Sequence, residues 1–262
     1  MNDVEQFPYT VVLCRVKESG NLGSVCRAMK TMGFGRLILA DCPAYDEALV
    51  AMMAVHAFDV YRSAERFETL HDALLDSSMS AGFSRRNGAK RKSRSVPLRE
   101  FAQSMLSAEN EQVYLVFGNE RDGLSDAELS ECSVSVHIPS AEAFPSLNIA
   151  QAVQIACYEL RMAVADGDQP APRQEQPGGM PALATRAFVE TETGKTIGLL
   201  RRLGFFQKSD SGYASRFLRD LCERASLSPS EVIYLRTMIE KTAALAGKGA
   251  RPNATERKSA AE

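Results

Sequence analysis

Residues 113–117, Val-Tyr-Leu-Val-Phe, constrain the fold of this chain more than any other stretch. Five apolar, β-favouring residues in a row leave no polar face for water. The segment therefore reads as a strand buried on both sides, as at the centre of a parallel sheet. It breaks at Gly118 into a polar turn carrying Glu120, Arg121 and Asp122 and closed by Gly123. Ser125 then caps a short helix, and Glu128 three residues on completes a capping-box pattern. In open α/β sheets ligands sit beyond the carboxyl ends of the strands, so a strand ending in Gly-x-Glu-x-x-Gly marks a candidate ligand site. Residues 21–27 and 138–148 are built alike, and the function is expected where the three stretches meet.

The rest of the chain supplies neighbours for that strand. β-rich runs at 10–16, 36–42, 60–61, 77–83 and 134–138 alternate with helical patterns at 21–32, 46–57, 64–75, 98–106 and from 146 onward. This alternation predicts an α/β fold, a mainly parallel sheet flanked by helices. Asn21 is read as the N-cap of the first helix and Ser146 as that of the long one. In the first helix Leu22, Val25, Met29 and Met32 should face the sheet, with Arg27 and Lys30 on another face. Gly23 costs helix stability and makes sense where something approaches the backbone closely.

Composition changes at residue 166. Residues 166–181 hold four prolines and three glycines and read as a linker after a domain at 1–165. Helical patterns at 183–203, 214–225 and 229–246 then predict a small α-helical domain over 182–246, and 247–262 reads as a disordered polar tail.

Several chemistries are excluded. No Gly-x-Gly-x-x-Gly follows the first strand, and neither a P-loop lysine motif nor a Gly-x-Ser-x-Gly elbow is present. The six cysteines form no Cys-x-x-Cys pair and the three histidines are scattered, so neither disulfides nor a metal centre is expected. No apolar run approaches a membrane span and no signal-peptide core opens the chain, which gives an expected cytoplasmic location with no membrane partner. The net charge of −2 conceals a cluster: seven basic residues and no acid between Gly82 and Arg99, among them Arg85, Arg86, Lys90 and Arg91. Following a predicted strand, that loop suits phosphate binding. Strand-end backbone groups able to bind a small polar cofactor, beside cations able to hold a phosphodiester, suit group transfer onto nucleic acid.

Asn21-x-Gly23-x-x-x-Arg27, Phe117-Gly118-x-Glu120-x-x-Gly123-Leu124 and Ile138-Pro139…Ser146-Leu147-Asn148-x-Ala150 resemble, in order, the three motifs of the SpoU branch of SPOUT RNA 2′-O-methyltransferases. Any one motif alone is weak; the ordered set over about residues 7–165 is specific. The helical extension, with Leu200-Arg-Arg-Leu-Gly-Phe-Phe206, is similar to that of members that methylate the ribose at position 32 of the tRNA anticodon loop. The resemblance implies a C-terminal trefoil knot in the α/β domain, S-adenosylmethionine as cofactor, and a homodimer whose RNA sites use both subunits. It places the cofactor at Gly82, Phe83, Ser84, Gly118, Ile138, Ser146 and Leu147. Catalysis falls to Arg27, Asn21 and Glu120. RNA contacts fall to Arg27, Arg85, Arg86, Lys90, Arg91, Arg201 and Arg202. Pro145 stands where relatives commonly have a small polar residue and offers no N–H to a ligand.

Taken singly, these residues read as a surface arginine, a helix cap and a solvated turn acid; the ordered motifs reverse that. A guanidinium, whose pKa exceeds about 12, is a poor base, so Arg27 is expected to position the phosphate and ribose. Asn21 is expected to orient Arg27 or the loop, and Glu120 to anchor a partner arginine or the motif turn. A ribosomal RNA target and a catalytically lapsed RNA-binding module are the alternatives.

Overall fold

The computed structural model describes residues 7, 9–85, 95–105, 112–166, 182–206 and 211–249. These fall into two compact units, Met1–Thr185 and Arg186–Glu262.

The first unit is built on seven parallel strands: β1 (Thr10–Cys14), β2 (Arg36–Ala40), β3 (Glu65–Phe67), β4 (Met79–Phe83), β5 (Val96–Pro97), β6 (Val113–Phe117) and β7 (Val134–His137). Their order is β3-β2-β1-β6-β4-β7-β5, which places the apolar run at the centre, between β1 and β4. Alternation along each strand feeds two cores. Val11, Leu13, Leu37, Leu39, Leu115 and Phe117 point to one face, where α1 (Ser19–Thr31), α5 (Leu98–Ser104) and α7 (Ile149–Asp166) lay down Leu22, Val25, Met29, Phe101, Val153 and Leu160. Val12, Cys14, Ile38, Tyr114 and Val116 point to the other, against Leu70 and Ala73 of α4 (Leu70–Ala73), Leu74, Leu124, and Leu129 of α6 (Asp126–Glu131). A buried Leu, Val or Phe contributes about 1.5–3 kcal/mol, which explains why β6 cannot be an edge.

Four sequence expectations are corrected. Residues 60–61 belong to α3 (Phe58–Arg62), not to a strand: Val60 is buried in the core with Ala57 and Ala54 at helical spacing below it. The strand lies instead at β3, inside the stretch read as helix, because β2 gains a partner through Ile38 opposite Glu65; Thr69 then caps α4 through the Asp72 N–H at 3.1 Å. The first helix begins at Ser19 with Glu18 as N-cap, so Asn21 lies within its first turn. α7 is capped by Asn148, whose Oδ1 accepts from the Ala150 N–H at 2.8 Å, rather than by Ser146. The close approach at Gly23 is made by α2 (Glu47–Ala54): a Cβ there would lie 2.5 Å from the Val50 carbonyl oxygen.

The second unit holds α8 (Arg186–Arg202), α9 (Ser211–Arg224) and α10 (Pro229–Gly249). Its apolar core is thin, with Val189, Ile197, Cys222 and Val232 buried, and charged pairs fill the remainder. Arg186, 2% exposed, binds Glu190 at 3.1 Å, and Arg236 reaches the buried Glu192 at 2.6 Å. Ionised groups are tolerated inside only when paired in this way. Of the predicted linker 166–181, Asp166 ends α7 and the rest lies outside the described residues; α10 runs to Gly249, past the predicted end at 246 and into the predicted tail 247–262, whose residues from 250 lie outside the described residues.

Candidate functional site

Parallel strands in register end together, so the segments after β4, β6 and β7 converge at one edge of the sheet. They line a cleft that opens to solvent, enclosing about 820 Å³ when the open space at its mouth is counted. Its floor is apolar: Phe83 and Phe117 stack at 4.3 Å between ring centroids and 15° between planes, beside Ile138, Ile149 and Ala152. Its rim is polar: Ser84 and Arg85 follow β4, residues 118–123 follow β6, and Pro145, Ser146 and Leu147 precede α7.

The turn after β6 is over-determined. Asn119 exchanges a backbone bond with Gly123, whose N–H meets its carbonyl at 2.8 Å. The Asn119 Oδ1 accepts from the Arg121 and Asp122 N–H groups at 2.8 and 3.3 Å, while its Nδ2 donates to the Arg15 carbonyl at 3.0 Å. Gly123 has φ +68°, which favours glycine. A Cβ on Gly118 would fall 2.2 Å from the Gly123 carbonyl carbon, because the turn folds back onto it. From behind, Arg15 donates through Nη2 to the Gly123 carbonyl at 3.2 Å and grips the Glu128 carboxylate through both Nε and Nη2. Ser125 and Glu128 form the capping box that the sequence announces. Burial alone would raise the Glu128 carboxyl, but hydrogen bonds from Arg15 and Ser125 hold it down at about 2.

A hydrogen-bonded relay joins all three motifs. Glu120 Oε1 accepts from the backbone N–H groups of Lys17 at 3.2 Å and Glu18 at 3.0 Å, and from Asn21 Nδ2 at 3.3 Å. Asn21 Oδ1 in turn accepts from Asn148 Nδ2 at 3.0 Å. Glu120 thus ties the β6 turn to the start of α1, and Asn21 ties α1 to the start of α7. Asn21 braces the loops and makes no hydrogen bond to Arg27 among the described residues.

The cleft brings together Phe83, Ser84, Arg85, Gly118, Glu120, Ile138, Ser146 and Leu147 of the expected residues. Gly82 does not line it: the pleat turns that position toward α6, where an added Cβ would meet Leu129 and Cys132. Arg27 does not line it either. It lies exposed on α1, and its guanidinium has no hydrogen-bonding or ionic partner among the described residues. Lys30, its neighbour one turn on, is held by Asp59 at 2.7 Å and the His56 carbonyl at 3.0 Å. Arg201 and Arg202 lie exposed in the second unit, Arg201 bonded to Ser211 Oγ at 3.0 Å. Arg86, Lys90 and Arg91 lie outside the described residues.

Sequence reasoning missed Arg15, Asn119 and Arg121 as parts of the site. Arg15 carries no motif signal; it occupies a left-handed conformation at the end of β1, φ 57°. Asn119 and Arg121 stand inside the second motif at places its pattern leaves unspecified, where only the folded turn reveals what Asn119 and the Arg121 N–H bond. The lining fits S-adenosylmethionine. Paired rings and branched side chains offer an adenine-sized apolar surface, and the segments that follow β4, β6 and β7 bring polar groups to its rim. No grouping of histidine, cysteine and carboxylates suited to a metal occurs among the described residues.

The SpoU rRNA Methylase family model matches residues 8–158. A tRNA (cytidine/uridine-2′-O-)-methyltransferase TrmJ of Yersinia enterocolitica is 34% identical over 233 residues, spanning 87% of this chain and 89% of that protein. The tRNA (cytidine/uridine/adenosine-2′-O-)-methyltransferase TrmJ of Pseudomonas aeruginosa is 32% identical over 243 residues, 88% of this chain and 92% of that one. Among solved structures, TrmJ from Z. mobilis ZM4 shares the fold with a TM-score of 0.70 at 23% identity, covering 89% of this chain and 98% of that one. No helix among the described residues is long and apolar enough to cross a membrane.

Proposed function

The chain belongs to the SpoU methylase family, and from that premise we propose that it is a homodimeric, S-adenosylmethionine-dependent 2′-O-methyltransferase of tRNA, acting at position 32 of the anticodon loop. The observation that carries this reading is the relay from Glu120 through Asn21 to Asn148, which binds three separate motifs around one apolar-floored cleft. Similarity to the TrmJ enzymes along most of both chains, helical extension included, favours tRNA over ribosomal RNA. The trefoil knot and a cytoplasmic location go with the same reading.

S-adenosylmethionine supplies the electrophilic methyl group when it is bound. The chain's own residues do the positioning. Phe83 and Phe117 exclude water beneath the cleft, and Ser146 and Leu147 close one side of it. Glu120 and Asn21 hold the rim still. Arg27, exposed and away from its own cleft, serves the cleft of the partner subunit. There it holds the phosphate beside the target ribose and favours the developing alkoxide on the 2′-oxygen.

Nucleoside mass spectrometry of tRNA from cells with and without the gene, mapped to position, tests the assignment. Loss of a 2′-O-methyl group at position 32 is expected; an unchanged pattern in tRNA would refute it. In the purified enzyme, Arg27→Ala should lower methyl transfer at least a hundredfold, within the range for a lost transition-state contact, while leaving cofactor affinity within about twofold of wild type. Full turnover by that variant would remove Arg27 from the mechanism.

A further inference from the structure

The turn after β6 presents one side chain whose charge meets no partner among the described residues. Glu120 points back into the fold, where two backbone N–H groups and Asn21 occupy its carboxylate. Asp122 has an interaction of its own. Arg121 lines the cleft, is exposed, and has no hydrogen-bonding or ionic partner for its guanidinium among the described residues. Arg85, on the segment after β4, lines the same cleft in the same condition. Arg121 differs from an ordinary surface arginine in its backbone. Its N–H is fixed by Asn119 Oδ1 at 2.8 Å, inside a turn that Arg15 clamps from behind at the Gly123 carbonyl. A guanidinium on so rigid a base loses little backbone freedom when it binds an anion. Its planar fork matches two oxygens of one phosphate.

We propose that Arg121 and Arg85 form a phosphate clamp at the mouth of the cleft, with Arg121 as its rigid arm, gripping the RNA backbone next to the nucleotide being modified. This rests on the methyl-transfer reading and adds to it a binding residue that works in the same cleft as the cofactor, whereas Arg27 comes from the partner. Two contacts from different subunits on neighbouring phosphates would fix the ribose between them. The chemistry recognised is a phosphodiester. A cofactor carboxylate is the other anion within reach of this rim, and the test separates the two.

The full-length protein is titrated with an unmodified tRNA transcript at several salt concentrations, and separately with S-adenosylmethionine. For Arg121→Ala, the slope of log affinity against log salt should become shallower by about 0.7, the value for one contact to single-stranded RNA. KM for tRNA should rise several-fold with cofactor affinity unchanged. Arg121→Lys should restore the slope and only part of the affinity, since a point charge replaces the fork. An unaltered slope and KM for Arg121→Ala would overturn the proposal. A loss of cofactor affinity with normal RNA binding would also overturn it, assigning the guanidinium to the carboxylate. Failure of the wild-type protein to bind or methylate tRNA would instead strike the functional reading beneath it.

Discussion

Gly118 shows how much of the cleft depends on one missing carbon. The atoms a Cβ would strike are backbone, Gly123 C at 2.2 Å and Leu124 N at 2.3 Å, which cannot swing aside as a side chain could. Gly118→Ala should therefore cost about 3 kcal/mol, at the upper end for overpacking, and weaken cofactor binding because the displaced turn is the cleft wall. Urea unfolding read beside a cofactor titration checks both; a stable variant with normal binding would mean that the turn does not sit against Gly118 in solution. This residue was legible before folding, since a glycine ending a buried strand needs a reason. Arg15 was not. Its role depends on a left-handed backbone and on a carboxylate 113 positions away in the chain, and no local pattern encodes a partner so distant. Arg27 lies between the two cases: the motif drew attention to it, but its separation from its own cleft appears only in the fold.

At the scale of elements, what could be read was what chemistry writes locally. The strand Val113–Phe117 and the capping box at its exit appear where apolar run and Ser-x-x-Glu placed them. Errors arose where tertiary packing outweighed periodicity: residues 60–61 turned helical to bury Val60, and Asn148 displaced Ser146 as cap because it also bonds Asn21. The capping box carries a pH signature. Glu128 sits at about 2 in the fold against an ordinary carboxyl of 4.5. Its folded pKa is depressed, so the stabilisation is complete above about pH 4.5 and is lost as pH falls toward 2. Glu128→Gln should unfold about 2 kcal/mol more easily at pH 7, less than the full linkage value because the pair is partly solvated. Denaturant unfolding of both proteins between pH 7 and pH 2.5 should show the gap closing with acid. A gap that stays constant would place the stabilisation in packing rather than in the charge of Glu128.

At the scale of the whole molecule, the relation between two copies of the chain left no trace in any periodicity. That relation is where the catalytic argument ends. Arg27 has no partner on its own chain among the described residues and does not line its own cleft, so in the dimer reading a working site takes the cleft from one subunit and the arginine from the other. Mixing two dead variants tests this directly. Arg27→Ala keeps a sound cleft, and Ser146→Trp fills the cleft from an exposed position that should leave the fold intact. If subunits exchange at random, half the dimers are mixed, and each mixed dimer holds one site with both parts sound. Unfolding and refolding the two together should therefore restore about a quarter of wild-type activity, whereas each alone stays inactive. If Arg27 acted on its own subunit's cleft, every site in the mixture would still lack one part, and co-refolding would restore nothing.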